Sequence, residues 1–416
     1  MNNFILRLSV TLFLLIAYTG VVTGQESNVK RGWNFGPLPA VSYSTHQGFQ
    51  YGVLCDIYWF GDGSQFPGYI HKFNVEVSRY TKGSGVYHLF YDSEYLLPGL
   101  RSTFDISYLT DKMMDFYGFN GYMSSYDQLR EVPFYNFSRN LFRATADFQG
   151  EISGNFRWVA GAGLYSYKTE NAKNDVNSGD IGLFEKYINQ GLISDDEKDG
   201  GTRLEIKLGA VYDTRDNEAD PWSGVNGTAL FLLSPLENSY GKVFLSASGY
   251  IPLKDNKLTL ALRGVYQGTF FGEQPFYMLQ NIATLYFRQI TNEGLGGLNS
   301  IRGVLRNRVV GAGVALSNIE LRYRFASFNL FNQSWYLAIN PFFDAGRVVQ
   351  FYKKELMVSP SGDSIYSGER EELHKSAGIG AKAVMNRNFI LSAEWGKPFD
   401  KRDGDGALSI GLNFIF

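Results

Sequence analysis

A single cysteine, Cys55, stands in 416 residues, so neither a disulfide framework nor a cysteine-built zinc site is available. An excess of either charge is also missing. Lys and Arg number 39 against 41 Asp and Glu, a net charge of −2, without the basic footprint that nucleic-acid binding requires. The four histidines, His46, His71, His88 and His374, are scattered. They form no HExxH or i,i+4 pair, and no GxSxG elbow, P-loop or glycine fingerprint opening a helix accompanies them. The chain is therefore expected not to be an enzyme and to use neither metal nor cofactor. Past the first two dozen residues no apolar run could form a membrane helix, and the mean hydropathy is −0.18. Abundant instead are Gly (46), Phe (33) and Tyr (27), against 12 prolines. Without long helical patterns, that mixture points to strands.

Residues 1–24 read as a secretory signal peptide. Arg7 supplies the positive start, residues 8–22 a short apolar core, and Val22-Thr23-Gly24 the small residues before a cleavage point at Gln25. The core is below spanning length, and no cysteine follows it for lipid attachment. A short periplasmic segment, 25–37, and a barrel over 38–416 would remain.

Period-two alternation dominates that remainder. Leu204, Ile206, Leu208, Ala210 and Tyr212 share one parity, with Arg203, Glu205 and Lys207 on the other. Ile319, Leu321, Tyr323 and Phe325 oppose Asn318, Glu320, Arg322 and Arg324. The chain closes on Leu408, Ile410, Leu412, Phe414 and Phe416 against Ser409, Gly411 and Asn413. One apolar and one polar face define half-buried strands. Charges persist along the whole polar face, as in a wet lumen. Aromatics such as Tyr58, Trp59, Trp335 and Trp395 gather near strand ends, as membrane girdles do.

The expectation is an all-β fold, a transmembrane antiparallel β-barrel of about sixteen strands in the bacterial outer membrane, contacting phospholipid and lipopolysaccharide. The strands are expected at 38–45, 48–60, 70–81, 86–96, 101–110, 134–149, 154–168 and 202–214. The other eight fall at 223–234, 241–253, 257–271, 313–326, 334–349, 373–385, 388–397 and 407–416. Pro37 and Pro39 would sit at the start of the first, where a missing N–H costs least. Long outer loops fall at 111–133, 169–201, 272–312 and 350–372. The second carries Ile181, Leu183, Phe184, Tyr187 and Ile188 at helical spacing, a short surface helix. Cys55 shares parity with Val53 and Ile57 and should face lipid.

Three segments carry a family resemblance: VYDTRDNEADPWSG at 211–224, GGLNSIRGV at 296–304 and PFFDAGRVV at 341–349, with an aromatic at 416. In order and strand position they resemble the barrel of the BamA/TamA superfamily (outer-membrane protein 85, bacterial surface antigen). The resemblance covers roughly residues 34–416. Ser300, Ile301, Arg302 and Gly303 match that family's VRGF-type motif in the sixth outer loop. It implies that the loop folds inward and that Arg302 pairs with Glu320 and Asp344, both on lumen-facing parity. A guanidinium fork suits two carboxylates, and Gly297 and Gly303 suit a sharply turning loop. Asp213, Arg215, Asp216, Pro221 and Gly224 match the family's signature turn, and Phe414 and Phe416 its terminal-strand signal.

The resemblance also implies a role in inserting, assembling or translocating outer-membrane proteins through a seam between the first and last strands. The Arg302 cluster is expected to stiffen the wall far from that seam. The alternative is a passive pore, or a scaffold barrel that docks a partner. The family usually carries periplasmic POTRA domains, for which 25–37 leaves no room, so the sequence resembles a barrel-only member. Client outer-membrane proteins and a separate POTRA-bearing or lipoprotein partner are the partners implied.

Overall fold

The computed structural model describes residues 29–416 except 45–47, 67, 131, 173–180, 237, 255–256, 286–293, 331–332, 358–364, 388 and 413. The expected signal segment and His46 lie outside the described residues. Sixteen antiparallel strands follow one another. β1 runs Trp33–Pro39 and resumes at Ser42–Ser44. A single register, from Trp33 opposite Trp59 to Ser44 opposite Gly48, makes both pieces one strand beside β2 (Gly48–Trp59). Next come β3 (His71–Tyr80), β4 (Gly85–Leu97), β5 (Leu100–Asp115), β6 (Asn136–Ser153), β7 (Phe156–Asn171) and β8 (Gly200–Asp213). β9 (Gly224–Ser234), β10 (Tyr240–Lys254), β11 (Leu258–Phe271) and β12 (Gly313–Leu330) continue the wall. β13 (Gln333–Gln350), β14 (His374–Met385), β15 (Phe389–Pro398) and β16 (Ala407–Leu412) complete it.

Each strand pairs with the next, but among the described residues no ladder joins β16 to β1, so the sheet stops short of closure. The free edge of β1 has a chemical character of its own. Ala40 donates its N–H to the Gly52 carbonyl, so even-numbered residues of β1 turn their backbone toward β2. Odd-numbered residues turn theirs toward the open side. Pro37 and Pro39 are odd-numbered and therefore withhold two donors from that edge. They lie inside the strand, which begins at Trp33 and not at 38 as expected.

The wall is apolar outside and charged inside, the inverse of a soluble sandwich. Leu208, Phe231, Ile319, Tyr323 and Ile410 are exposed on its outer face. Buried on the inner face are ion pairs: His88 and Arg143 with Asp105, Lys207 with Asp147, and Lys242 with Glu205. Each links neighbouring or next-neighbour strands between β4 and β10. Cys55 lies opposite Pro37, on the parity of exposed Val53.

The four long loops emerge at one end and pack into an aromatic dome. A short helix, α1 (Leu183–Asn189), is part of it. Leu183, Phe184 and Tyr187 are buried against Phe116, Phe137 and Phe276, so α1 is a core element and not the surface helix expected. Apolar side chains at helical spacing had partners waiting in other loops.

The chain's last residues also depart from expectation. β16 ends at Leu412, and Phe414 is buried inside with Trp222, Tyr336, Val384 and Ile390, where continuation of the strand to 416 would have it face lipid. The physical reason lies in the register. Leu412 is opposite Leu391, and β15 begins at Phe389, so the wall offers only two further pairing positions. The lumen offers cations and aromatic rings instead.

Candidate functional site

Loop 294–310 enters the lumen as a compact knot. Leu295 and Val309 exchange backbone hydrogen bonds at 3.0 and 3.1 Å, closing its neck. The Ser300 hydroxyl accepts the Gly296 N–H at 2.8 Å, tightening the tip. Leu295, Ile301 and Val304 pack on Leu230, Leu232, Phe244 and Val348 of the inner wall. Gly297 and Gly303 both hold φ +86°, a left-handed conformation natural to glycine. Gly303 has a second reason to be glycine: a Cβ there would lie 2.3 Å from the Gly396 carbonyl carbon on β15.

That close approach delivers Arg302 to a buried charge cluster. Its Nε and Nη2 clasp the two Asp344 oxygens at 2.8 and 2.7 Å, and its backbone N–H donates to the same carboxylate at 3.0 Å. Nη1 reaches Glu320 and, at 3.0 Å, Glu394. The guanidinium lies 3.5 Å from the centroid of the Phe342 ring, completing its enclosure. Asn318 ties the loop in twice, donating to the Ser300 carbonyl at 2.7 Å and to Asp344 at 2.8 Å. Arg322 bonds the second oxygen of Glu320 at 2.9 Å, and Lys382 bonds Glu394 at 2.8 Å. Three cations thus face three carboxylates, each 3% exposed or less. Burial opposes the charge on Arg302, and the surrounding carboxylates overcome it, raising its pKa.

Both acidic partners expected for Arg302 are therefore at its guanidinium. Glu394 and Lys382 were missed. Glu394 sits in SAEWG on the parity opposite Trp395, the same signal that marked Glu320 and Asp344. The cluster spans β12, β13, β14 and β15, so it lies beside the seam strand β16, and the expected stiffening of a distant wall is corrected.

A second anchor, which the sequence did not reveal, fixes the outer side of the loop. Buried His374 bonds Asp403 through Nδ1 at 2.6 Å and Glu371 through Nε2 at 3.3 Å. Tyr122 donates its hydroxyl to Asp403 at 2.6 Å and stacks on the imidazole at 3.9 Å. Leu305 N–H bonds the Asp403 carbonyl, and Arg308 donates to the Gly121 carbonyl. Four loops meet there.

The signature turn closes the opposite mouth. Asp213 holds Arg215 at 2.6 Å, while one Asp216 oxygen caps the N–H groups of Trp222 and Ser223. The other meets Arg387 at 2.6 Å. Burial raises the Asp216 pKa, but Arg387 and the two N–H groups outweigh it, and the net shift is downward. Pro221 presents its carbonyl to Arg322, and Gly224 takes φ +95°, where a Cβ would strike the Thr214 carbonyl. Trp222 is thereby tucked beneath the lumen, edge-on to Tyr336.

A family model, the Omp85 superfamily domain, matches residues 66–416. The chain belongs to the Omp85 superfamily. The sheet superimposes on BamA from Haemophilus ducreyi lacking POTRA domains 1–3, with a TM-score of 0.57 and 19% identity. That match covers 92% of this chain and 69% of the other. CdiB from Escherichia coli matches with a TM-score of 0.55 and 12% identity, over 92% of this chain and 62% of that one. No curated protein matches the chain. At these identities the likeness is one of fold, and it supports a barrel fold for the sixteen-strand sheet. Membership carries a general association with protein assembly or translocation at the outer membrane.

Proposed function

We propose that this Omp85 barrel inserts or translocates other outer-membrane proteins by offering its unpaired seam as a template for an incoming strand. The observation that carries the reading is the seam itself. Among the described residues β16 and β1 share no ladder, and β1 presents an edge from which Pro37 and Pro39 remove two donors. An exposed edge is a pairing surface, and one weakened by proline releases what it binds more readily. The Arg302 cluster holds the wall next to that edge in shape. Its role is positional: it fixes β12–β15 so that the templating edge keeps its geometry. Client outer-membrane proteins are the substrates, with a periplasmic POTRA-bearing or lipoprotein partner delivering them.

A catalytic role has little support. Among the described histidines, His88 bonds Asp105, His374 spends both nitrogens on carboxylates, and His71 meets the Tyr91 phenol, so none of these bonds is to a serine, threonine or cysteine side chain. The passive-pore alternative meets the packed loop 294–310, which occupies the lumen.

The test is folding of a denatured outer-membrane barrel into liposomes containing this protein, with Arg302→Ala as control. Acceleration that the variant loses supports insertion by the barrel. Equal rates with and without the protein would overturn it, and steady single-channel currents would favour the pore.

A further inference from the structure

Among the described residues the lipid-facing side of β13, β14 and β15 carries three charges, and all three are cations. Arg347, Lys375 and Lys397 share the outward parity of Phe343, Ile379 and Trp395, and each is exposed. They lie within three residues of the strand ends at Gln350, His374 and Pro398, on the side from which the long loops emerge. The other end of the same strands shows Trp335, Met385 and Phe389 instead. A cation on the lipid face of a barrel is costly at mid-membrane and tolerated at headgroup level, and the longer loops of such barrels are extracellular. The three cations therefore stand in the headgroup layer of the outer leaflet.

Register brings them together. Lys375 is opposite Ala345, two positions from Arg347, and Lys397 is opposite Ala377, two positions from Lys375. Diagonal neighbours of this kind lie about 7–8 Å apart, so one oxyanion is within reach of two flexible side chains. Arg347 leans toward β14, donating Nη2 to the Glu371 carbonyl at 3.4 Å. Among the described residues no carboxylate pairs with any of the three. The far wall differs: Lys168 pairs with Glu170 at 2.7 Å, and Arg79 donates to the Tyr87 hydroxyl at 2.8 Å. Like charges held side by side repel, and here the chain supplies no counter-ion.

We propose that Arg347, Lys375 and Lys397 form a binding site for the phosphate groups of lipopolysaccharide. One guanidinium and two ammonium groups hold the anion. The exposed rings of Phe343, Trp395 and Phe399 lie beneath and beside it for the acyl chains. Phe343 and Phe399 meet across β14 with centroids 6.1 Å apart. Three strands give an apolar footing about 10 Å wide, which suits the several chains of one glycolipid better than the two of a phospholipid. The site requires only an outer-membrane location and holds whether or not the barrel acts on clients.

The experiment titrates the purified barrel in detergent with fluorescent diphosphorylated lipid A, its dephosphorylated form and phosphatidylglycerol. The parent should bind diphosphorylated lipid A at least tenfold more tightly than either of the others. Arg347→Gln, Lys375→Gln and Lys397→Gln together should weaken that binding at least tenfold. Lys375→Gln alone, on the middle strand, should weaken it at least threefold and decides the matter if the triple variant does not fold. Folding is checked by heat-shifted migration on gels. Lys168→Gln, on the far wall, should leave the affinity within twofold. Equal affinity for phosphatidylglycerol, parental affinity in a folded Lys375→Gln or triple variant, or an equal loss in Lys168→Gln would overturn the proposal.

Discussion

Gly303 of the inward loop and Gly396 of β15 touch backbone to backbone. A Cβ on Gly303 would lie 2.3 Å from the Gly396 carbonyl carbon, and one on Gly396 would lie 2.6 Å from the Arg302 carbonyl oxygen. Two absent side chains thus set the depth at which Arg302 sits. Gly303→Ala meets both a clash and a left-handed backbone and should cost more than about 1 kcal/mol. Gly396→Ala meets the clash alone and should cost less. Thermal unfolding of the two variants, followed by heat-shifted migration, checks the order.

Arg302→Ala leaves buried Asp344 without a cation and takes one of two from Glu320 and from Glu394, and should destabilise the barrel by about 3–5 kcal/mol. Arg302→Lys keeps the charge but cannot clasp both Asp344 oxygens, so it should fall between. Unfolding midpoints in denaturant, compared across the three proteins, give the test.

Glu371 accepts the Val348 N–H at 2.8 Å and the Tyr122 N–H at 2.9 Å, besides facing His374. Glu371→Ala leaves two buried donors unsatisfied, each costing about 1–3 kcal/mol. The loss falls on the dome, so limited proteolysis should cut the outer loops at least several-fold faster while the wall survives.

Asp216 has a lowered pKa, so its contribution to stability is complete above the unfolded carboxylate value of about 4. It disappears as the pH falls through the lower value of the folded barrel. Asp216→Asn should therefore reduce the melting temperature at pH 7, and the difference from the parent should vanish in strong acid. A difference that persists there would show that the turn depends on shape and not on charge.

Replacing Pro37 and Pro39 together by alanine restores two N–H donors to the free edge of β1. A seam that pairs more firmly should template clients more slowly. In the liposome assay the double variant should lose most of any acceleration while remaining folded.

Alternation made most of the fold legible, because a membrane barrel must show every strand one apolar and one polar face. It revealed the inward sense of Glu320 and Asp344 directly, and it held the same information for Glu394, which went unused for want of a motif around it. What it could not reveal depends on distant segments meeting. The His374 knot joins residues 122, 371 and 403, which no spacing relates. α1 is buried because two other loops and β6 supply its partners, Phe116, Phe276 and Phe137. Residues 414–416 follow the pattern and still turn inward, because the Arg322 and Tyr250 that hold them lie far away along the chain. At the other end, two prolines suggested a strand boundary, whereas an edge strand with one unpaired side accommodates them internally.

The buried ion pairs form a belt that does not go all the way round. His88, Asp105 and Arg143, then Asp147 and Lys207, then Glu205 and Lys242 tie the wall from β4 to β10, and the Arg302 cluster ties β12 to β15. On β2 and β3, Lys72 and Asp56 stand 3.7 Å apart, with Asp56 partly solvated. If the seam widens, the side braced by the Arg302 cluster, β12 to β15, is expected to hold its shape, and the prolines stand on the opposite lip.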